Sequence, residues 1–409
     1  MIGQLYIFMK LLQINVSANW GSHGKIAEAI GKLAIQNDWQ SMIAYGRYAN
    51  SSESQLVRIG TEKDITIHGV TTRLFDRHGL ESAKATREFI KVAEIYNPDI
   101  IHLHNIHGYY LNYPILFDWL KKTKKPVVWT LHDCWPWTGH CAYYTYNRCD
   151  RWKTSCHSCL GLASYPKSFH DGSKRNYAKK QKTFLGVENL VMVPVSNWLA
   201  NDIKESFLKD YSVQVIHNGI DLETFMPSTE RDIISKLGLN GKKILLGVAS
   251  VWEKRKGLEE FIELRRILDP SYHIILVGLT EKQIKSLPSG ITGLTRTNNV
   301  SELVELYSSA DLFVNPTLED NFPTTNLEAL ASGTPVITYN TGGSPEAIDE
   351  NTGITVPYKD VNQLKDSIIF TCEKKPFSTE ACRKRAEQNF NQNEVFSKYI
   401  SLYKTLIAN

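Results

Sequence analysis

The chain has 409 residues, of which 42% are hydrophobic and 22% charged, with 47 Lys and Arg against 43 Asp and Glu for a net charge of +4. These are the proportions of a folded globular protein, and the length exceeds what one compact core holds, so two domains of roughly 150 to 200 residues are expected. No apolar run approaches the roughly 18 residues of a membrane-spanning helix.

The opening stretch MIGQLYIFMKLLQINV lacks a basic lead and a small-residue cleavage site and is broken by Lys10, Gln13 and Asn15. It does not read as a signal peptide. Met9-Lys10 resembles a natural start, which makes residues 1–8 an extension and the cytoplasm the expected compartment. A strand is expected over Lys10 to Val16, then the loop SANWGSHGK, then an amphipathic helix from Ile26 to about Gln36. Strand and helix alternate onward: Ser41 to Tyr45, helix Ser82 to Tyr96, and strands at Ile100 to Leu103, Val127 to Leu131, Leu190 to Val195 and Val213 to Ile216. A second series runs through Lys243 to Val248, helix Gly257 to Leu268, His273 to Val277, helix Glu302 to Ser309, Leu312 to Val314, a helix opening near Thr324, and Pro335 to Tyr339. Short β-branched strands alternating with helices indicate α/β architecture with two Rossmann-like, doubly wound parallel sheets. The two series meet near Phe225 to Ser228. Expected domains are 1–225, 226–385 and a last helical segment, 386–409. Ligands of such sheets sit at the carboxyl ends of the strands, here in a cleft between the domains.

In chain order, Gly21-Ser22-His23-Gly24-Lys25 either lets backbone approach a phosphate or is a plain tight turn. It matches neither G-x-G-x-x-G nor a P-loop, which weakens NAD and ATP readings. His104 and His107, in HLHNIHGYY, and His132, at the end of VVWTL, follow strands, where sites form; packed histidines are as common there. Cys141, Cys149, Cys156 and Cys159 place four thiols within nineteen residues. They read either as a structural zinc site, with His140 and His157 in reserve, or as free or redox-active thiols. Catalytic zinc is not expected, since four thiolates leave no open position. Residues 148–182 hold nine basic and two acidic side chains, interleaved with Trp152, Tyr165, Phe169 and Tyr177. That segment suits either an anionic membrane face or a merely solvated surface. No nucleic-acid motif accompanies the charge.

VIHNGID (Val215 to Asp221) carries a turn signal and reads as a hinge. In SVWEKRKGL, Lys256 and Arg255 follow the first strand of the second series and offer positive charge to a departing diphosphate. The segment DLFVNPTLEDNFPTTNLEALASGTPVITYNTGG (Asp311 to Gly343) is the most informative. Thr325-x-x-Glu328 reads as a capping box by itself. Asp320, after Glu319, lies eight residues before Glu328, so carboxylates flank a helix N-terminus that presents N–H groups. That layout suits a nucleotide-sugar.

The last segment resembles the signature of the retaining family 4 glycosyltransferases: two acids separated by seven residues, then E-A-hydrophobic-A-x-G-x-P-V. TLHDCWPWTGHC is similar to a segment of the family's polysaccharide-building branch. VIHNGID and Ser196-Asn197-Trp198-Leu199 also fit, and the likeness runs from Met9 to about the C-terminus. It implies the two-domain GT-B architecture, with the C-terminal helix crossing back to the first domain. It further implies transfer, with retention, from a UDP- or GDP-sugar to a hydroxyl of a growing surface glycan, with a lipid-linked acceptor at the membrane's inner face among the options. The resemblance places Glu328 on ribose, Asp320 or Glu319 on the donor sugar and His132 beside it. Gly24, Arg255, Lys256, Phe322, Thr324 and Thr325 complete the donor set, and no catalytic metal is required. The family's usual arginine falls at Val251, so Arg255 would substitute. Two competitors stay open: a nucleotide-sugar epimerase of the same fold, and a non-catalytic, zinc-clipped binding protein.

Overall fold

The computed structural model describes residues 8–230 and 232–408; the proposed extension at the N-terminus therefore lies almost wholly outside the described residues. The chain divides into two compact units, Met1–His217 with Phe396–Asn409, and Asn218–Val395.

Among the described residues, the first unit is built on β1 (Lys10–Ala18), β2 (Gln40–Ala49), β3 (Gln55–Arg58), β4 (Ile100–Leu103), β5 (Val127–Leu131), β6 (Leu190–Pro194) and β7 (Ser212–Val213). All pair in parallel in the order β3-β2-β1-β4-β5-β6-β7. The reversal of order between β1 and β4 is where such sheets open for ligand. Leu11, Leu12, Ile14, Ile100, Ile101, Leu103, Val127 and Val128 are fully buried, as expected of strands covered by helices on both faces. Helix Gln392–Ala408 ends this unit's core: Tyr403 and Tyr399 bring their hydroxyls 2.6 Å from His102 Nδ1 and 3.0 Å from Thr130 Oγ1.

The second unit carries β8 (Lys243–Val248), β9 (Tyr272–Val277), β10 (Ile291–Leu294), β11 (Leu312–Asn315), β12 (Val336–Tyr339) and β13 (Gly353–Val356), in the order β10-β9-β8-β11-β12-β13. Every pairing is again parallel, and the reversal lies between β8 and β11. VIHNGID is a backbone zipper here. Ile220 bridges Asn391, and a Cβ on Gly219 would lie 2.5 Å from Gln392 Cα.

Three local expectations are corrected. The first helix begins at Gly21, five residues before Ile26, with Trp20 extended at φ −138 and ψ 133. Gly24 therefore lies inside the helix and packs on β1, where a Cβ would come 2.7 Å from Ser17 Oγ. The helix near Thr324 spans Thr324–Ala331 with Pro323 as N-cap and no side-chain cap bond, so Thr325-x-x-Glu328 is not a capping box. Proline fixes the entering backbone near φ −69 and starts the helix at Thr324, which leaves Thr325 two positions too deep to cap. Finally, the strand expected to reach Ile216 is only Ser212–Val213.

Candidate functional sites

In the second unit, the loops following β8, β11 and β12 converge. Leu318 N–H donates to Arg255 O at 2.7 Å and Thr317 Oγ1 donates to the same carbonyl at 3.2 Å, tying the Lys254–Lys256 turn to the loop before the Thr324 helix. Gly257 sits at φ +79, and a Cβ there would lie 2.2 Å from Pro316 O. Gly342, at φ +54, would bring a Cβ to 1.7 Å from Asp320 O. Only glycine permits both approaches. Asn326 pins the helix start: it donates to Ser344 O at 3.1 Å and accepts from Asn315 Nδ2 at 2.8 Å.

On this frame Lys256 forms an ion pair with Asp320. Arg255 donates to Glu253 Oε2 at 3.1 Å and to Glu319 O at 3.3 Å. Glu319 is 5% exposed, whereas the Asp320 side chain is 15% exposed. Asp320 is thus the acid that the loop pairs with the lysine. Phe322 is buried, with its ring centroid 5.8 Å from that of Phe390. Glu328 Oε2 accepts the Tyr307 hydroxyl at 2.8 Å. Burial first, then the Glu328 charge, raises the Tyr307 phenol well above its usual range, so it stays a donor and fixes the carboxylate. Lys256, Asp320, Thr324, Thr325 and Glu328 are therefore brought to one edge of this unit. Tyr307, Asn315, Asn326 and Ser344 hold them there and gave no signal in the sequence.

In the first unit, a polar chain crosses the β1/β4 reversal. Gln13 Nε2 donates to Ala27 O at 2.8 Å, which leaves its Oε1 to accept from His104 Nε2 at 3.0 Å. His104 Nδ1 then accepts from His132 Nε2 at 3.2 Å, an assignment of protons that follows from the hydrogen-bond pattern. Burial, then His104 and His23, pushes the His132 pKa well below its usual value, so the ring is neutral. The His23 ring lies tilted 6.0 Å from it, and burial lowers the His23 pKa to about 4. Asn15 joins the strand ends: its side chain donates to Ser17 O at 2.9 Å and accepts from Asn105 N–H at 3.3 Å. Beside it, Asp133 accepts from Trp135 N–H at 3.0 Å and from His107 Nε2 at 2.8 Å. Burial opposes ionisation of Asp133, but the neighbouring His107 ring and these two hydrogen bonds outweigh it and hold its pKa down. Gln13, Asn15 and His23 are polar residues inside apolar or loop-like sequence, a pattern that marks a network when read with the sheet order.

The thiols fall differently from a four-cysteine site. Cys141 and Cys159 share a thiol hydrogen bond. Cys156 Sγ accepts Gly139 N–H at 3.1 Å, and His140 Nδ1 is held by Asp76 at 2.6 Å. Among the described residues, no group of three or more His, Cys, Asp or Glu side chains comes together to hold a metal ion. The basic segment 148–182 is also only partly a surface. Lys180 is buried and donates to Trp135 O and Thr138 O, Arg175 binds Phe75 O, and Trp152 and Tyr177 are core residues. Phe169 is 74% exposed. Among the described residues no helix is long and apolar enough to cross a membrane.

Residues 35–224 match the model of Glycosyltransferase Family 4, and residues 242–374 that of Glycosyl transferases group 1. The chain is 24% identical to a protein of Escherichia coli K12 described as a putative colanic acid biosynthesis glycosyl transferase, WcaC, over 97% of this chain and 100% of that one. It is 27% identical to the N,N'-diacetylbacillosaminyl-diphospho-undecaprenol alpha-1,3-N-acetylgalactosaminyltransferase of Campylobacter jejuni, over 56% of this chain and 63% of that one. In fold it is similar to sucrose-phosphate synthase from Thermosynechococcus elongatus, with TM-score 0.71, 17% identity and 98% and 99% of the two chains covered. It is also similar to Anabaena Alr3699/HepE in complex with UDP-glucose, with TM-score 0.65, 13% identity and 97% and 100% covered.

Proposed function

This chain belongs to the family 4 glycosyltransferases, with the two-domain GT-B fold, and we propose that it moves a sugar, with retention, from a UDP- or GDP-sugar to a hydroxyl of a growing surface glycan. The observation that carries this reading is the uncapped start of helix Thr324–Ala331, flanked by Lys256, Asp320 and Glu328. Backbone N–H groups and the positive end of the helix favour a diphosphate. The donor's diphosphate takes over the Lys256 charge, which releases Asp320 to accept from hydroxyls of the sugar. Glu328, oriented by Tyr307, accepts from the ribose hydroxyls. As the glycosidic bond to phosphate breaks, negative charge grows on the leaving diphosphate, where Lys256 and the helix end stabilise it. The leaving phosphate takes the acceptor's proton on the same face, so no carboxylate nucleophile is required. The neutral His132 gives its one N–H to His104, keeps an acceptor nitrogen at Nδ1 and brings no net charge to the end of β5. The Campylobacter jejuni relative, named for transfer to a diphospho-undecaprenol sugar, supports a lipid-linked acceptor.

Titration with UDP- and GDP-sugars, read by calorimetry, tests the reading. One nucleotide-sugar should bind, and saturating it at a hundredfold excess over Kd should stabilise the chain by about 2.7 kcal/mol. Glu328→Gln keeps an acceptor for Tyr307 and removes the charge, so the fold should persist while affinity drops about tenfold or more. Unchanged affinity in that variant removes the ribose assignment, and no nucleotide-sugar binding at all removes the function.

A further inference from the structure

Three large aromatic side chains of the first unit stay open to solvent at the strand ends: Trp20 at 47%, Tyr48 at 44% and Tyr165 at 39% exposure. They form one band. Trp20 lies 4.4 Å from Tyr48 between ring centroids. The Arg47 guanidinium sits 5.0 Å from the Tyr48 ring and 5.7 Å from the Tyr109 ring, and Tyr109 meets Tyr165 edge-on at 6.2 Å. Trp20 follows β1, Tyr48 lies near the end of β2, Tyr109 follows β4 as His104 does, and Tyr165 lies between β5 and β6; the band runs into the His132 network. Ser17 Oγ donates to Trp20 O at 2.8 Å and lies 3.5 Å from His23 Nδ1, and the His23 ring is 6.0 Å from His132.

Two features show that the band is held in place at a cost. Tyr109 has φ +72, a region that a bulky side chain adopts only when its surroundings impose it. Tyr165 is tethered from beneath. Its hydroxyl donates to His107 Nδ1 at 3.0 Å, and His107 Nε2 donates to the buried Asp133 carboxylate at 2.8 Å. That proton arrangement follows because the ionised Asp133 can only accept. A buried Asp–His pair spent on fixing an exposed ring is unnecessary for the core, whereas a pre-set ring lowers the entropy lost on binding.

We propose that Trp20, Tyr48, Tyr109 and Tyr165, with Arg47 between them, form a subsite for the acceptor glycan. Sugar rings stack their C–H faces on the aromatic faces, and Arg47 donates to hydroxyls at the ring edge. The inference rests on the glycosyl-transfer reading and deepens it by naming the side chains of the first unit that hold the acceptor. The chemistry favours a carbohydrate over a protein, since four rings and one cation fall short of the roughly 800 Å² a side that a stable protein interface takes.

The test uses the full chain on an array of hexose and N-acetylhexosamine oligosaccharides of two to six sugars, with Trp20→Ala/Tyr48→Ala beside the wild type. Both residues are about half exposed, so the double variant should keep the wild-type melting temperature. Wild type should bind at least one oligosaccharide class, and the double variant about tenfold more weakly, as two lost stacking contacts imply. Tyr165→Phe, which keeps the ring and breaks the tether, should lose less affinity than Tyr165→Ala. Equal binding by wild type and double variant, or no oligosaccharide bound by wild type, overturns the proposal. So does binding to phosphatidylglycerol vesicles alone that is lost in the double variant, which would make the band a membrane face. Nucleotide-sugar titration of the same preparations reads the donor assignment separately, because Lys256, Asp320 and Glu328, which carry it, lie in the other unit.

Discussion

His68 offers a quantitative check on the first unit. It is fully buried, its Nε2 accepts Gly79 N–H at 2.9 Å, and its Nδ1 donates to Ser82 Oγ at 2.9 Å. The amide can only donate, so Nε2 must carry a lone pair and the ring must be neutral. Burial, then Arg77, lowers its pKa from 6.5 to about 3. A folded pKa below the unfolded one means that the unfolded chain binds a proton the folded chain refuses. The stability this represents is whole above pH 6.5 and is lost as pH falls towards 3. Between pH 7 and pH 5 the loss from this group is about 2 kcal/mol, a large share of a domain's 5–15 kcal/mol. His68→Gln keeps an acceptor for Gly79 and does not titrate. Urea unfolding at the two pH values, followed by tryptophan fluorescence, should show the wild type losing about 2 kcal/mol more than the variant. Eight of the nine tryptophans precede residue 218, so the signal reports this unit. His23, lowered to about 4, acts in the same direction, and Asp202, raised by burial to about 6, acts against it. Both cancel in the comparison, because both chains carry them. An equal pH dependence in the two chains would refute the neutral, buried assignment of His68.

Lys180 reports the opposite window. Burial lowers its pKa to about 7, so between pH 7 and about 10 the folded chain holds fewer protons and stability rises with pH. Lys180→Met should flatten that rise in thermal melts from pH 7.5 to 9.5, and an unchanged slope would remove the assignment. Gly257→Ala places a Cβ against Pro316 O at a positive φ and should destabilise the chain by about 1–3 kcal/mol while weakening nucleotide-sugar binding through Lys256, both measurable by calorimetry. Asp320→Asn removes the partner of Lys256. Transfer should fall by tenfold or more, with free UDP or GDP binding little changed, and equal loss of both would place Asp320 on the diphosphate instead.

The parallel strands of both sheets were legible because each is a short apolar run bounded by turn residues, as in Ile100 to Leu103 and Leu312 to Val314. Edge strands such as Gln55–Arg58 and Ile291–Leu294 were not, since Gln55, Arg58, Thr292 and Gly293 interrupt them with polar or small residues, although each pairs with the strand just before it. At the second unit's site, sequence supplied Asp320, Glu328 and Lys256, yet it mistook Thr325 for a cap. A capping box is a spacing rule, and Pro323 shifted the helix start by its fixed φ. Four nearby thiols suggested one zinc cluster; in the structure Cys141 and Cys159 share a hydrogen bond and Cys156 accepts from Gly139, and among the described residues no three metal-ligating side chains come together.

By itself, then, the sequence determined the alternation of strand and helix, the family, and the charged groups beside the Thr324 helix, because periodicity and short motifs are local properties of the chain. The tertiary structure alone decided what those groups touch. The Lys256–Asp320 pair spans 64 residues and the His104–Gln13 bond 91, while Tyr403 reaches His102 across 301. Contacts at such separations depend on sheet order and register, which no window of neighbouring residues encodes.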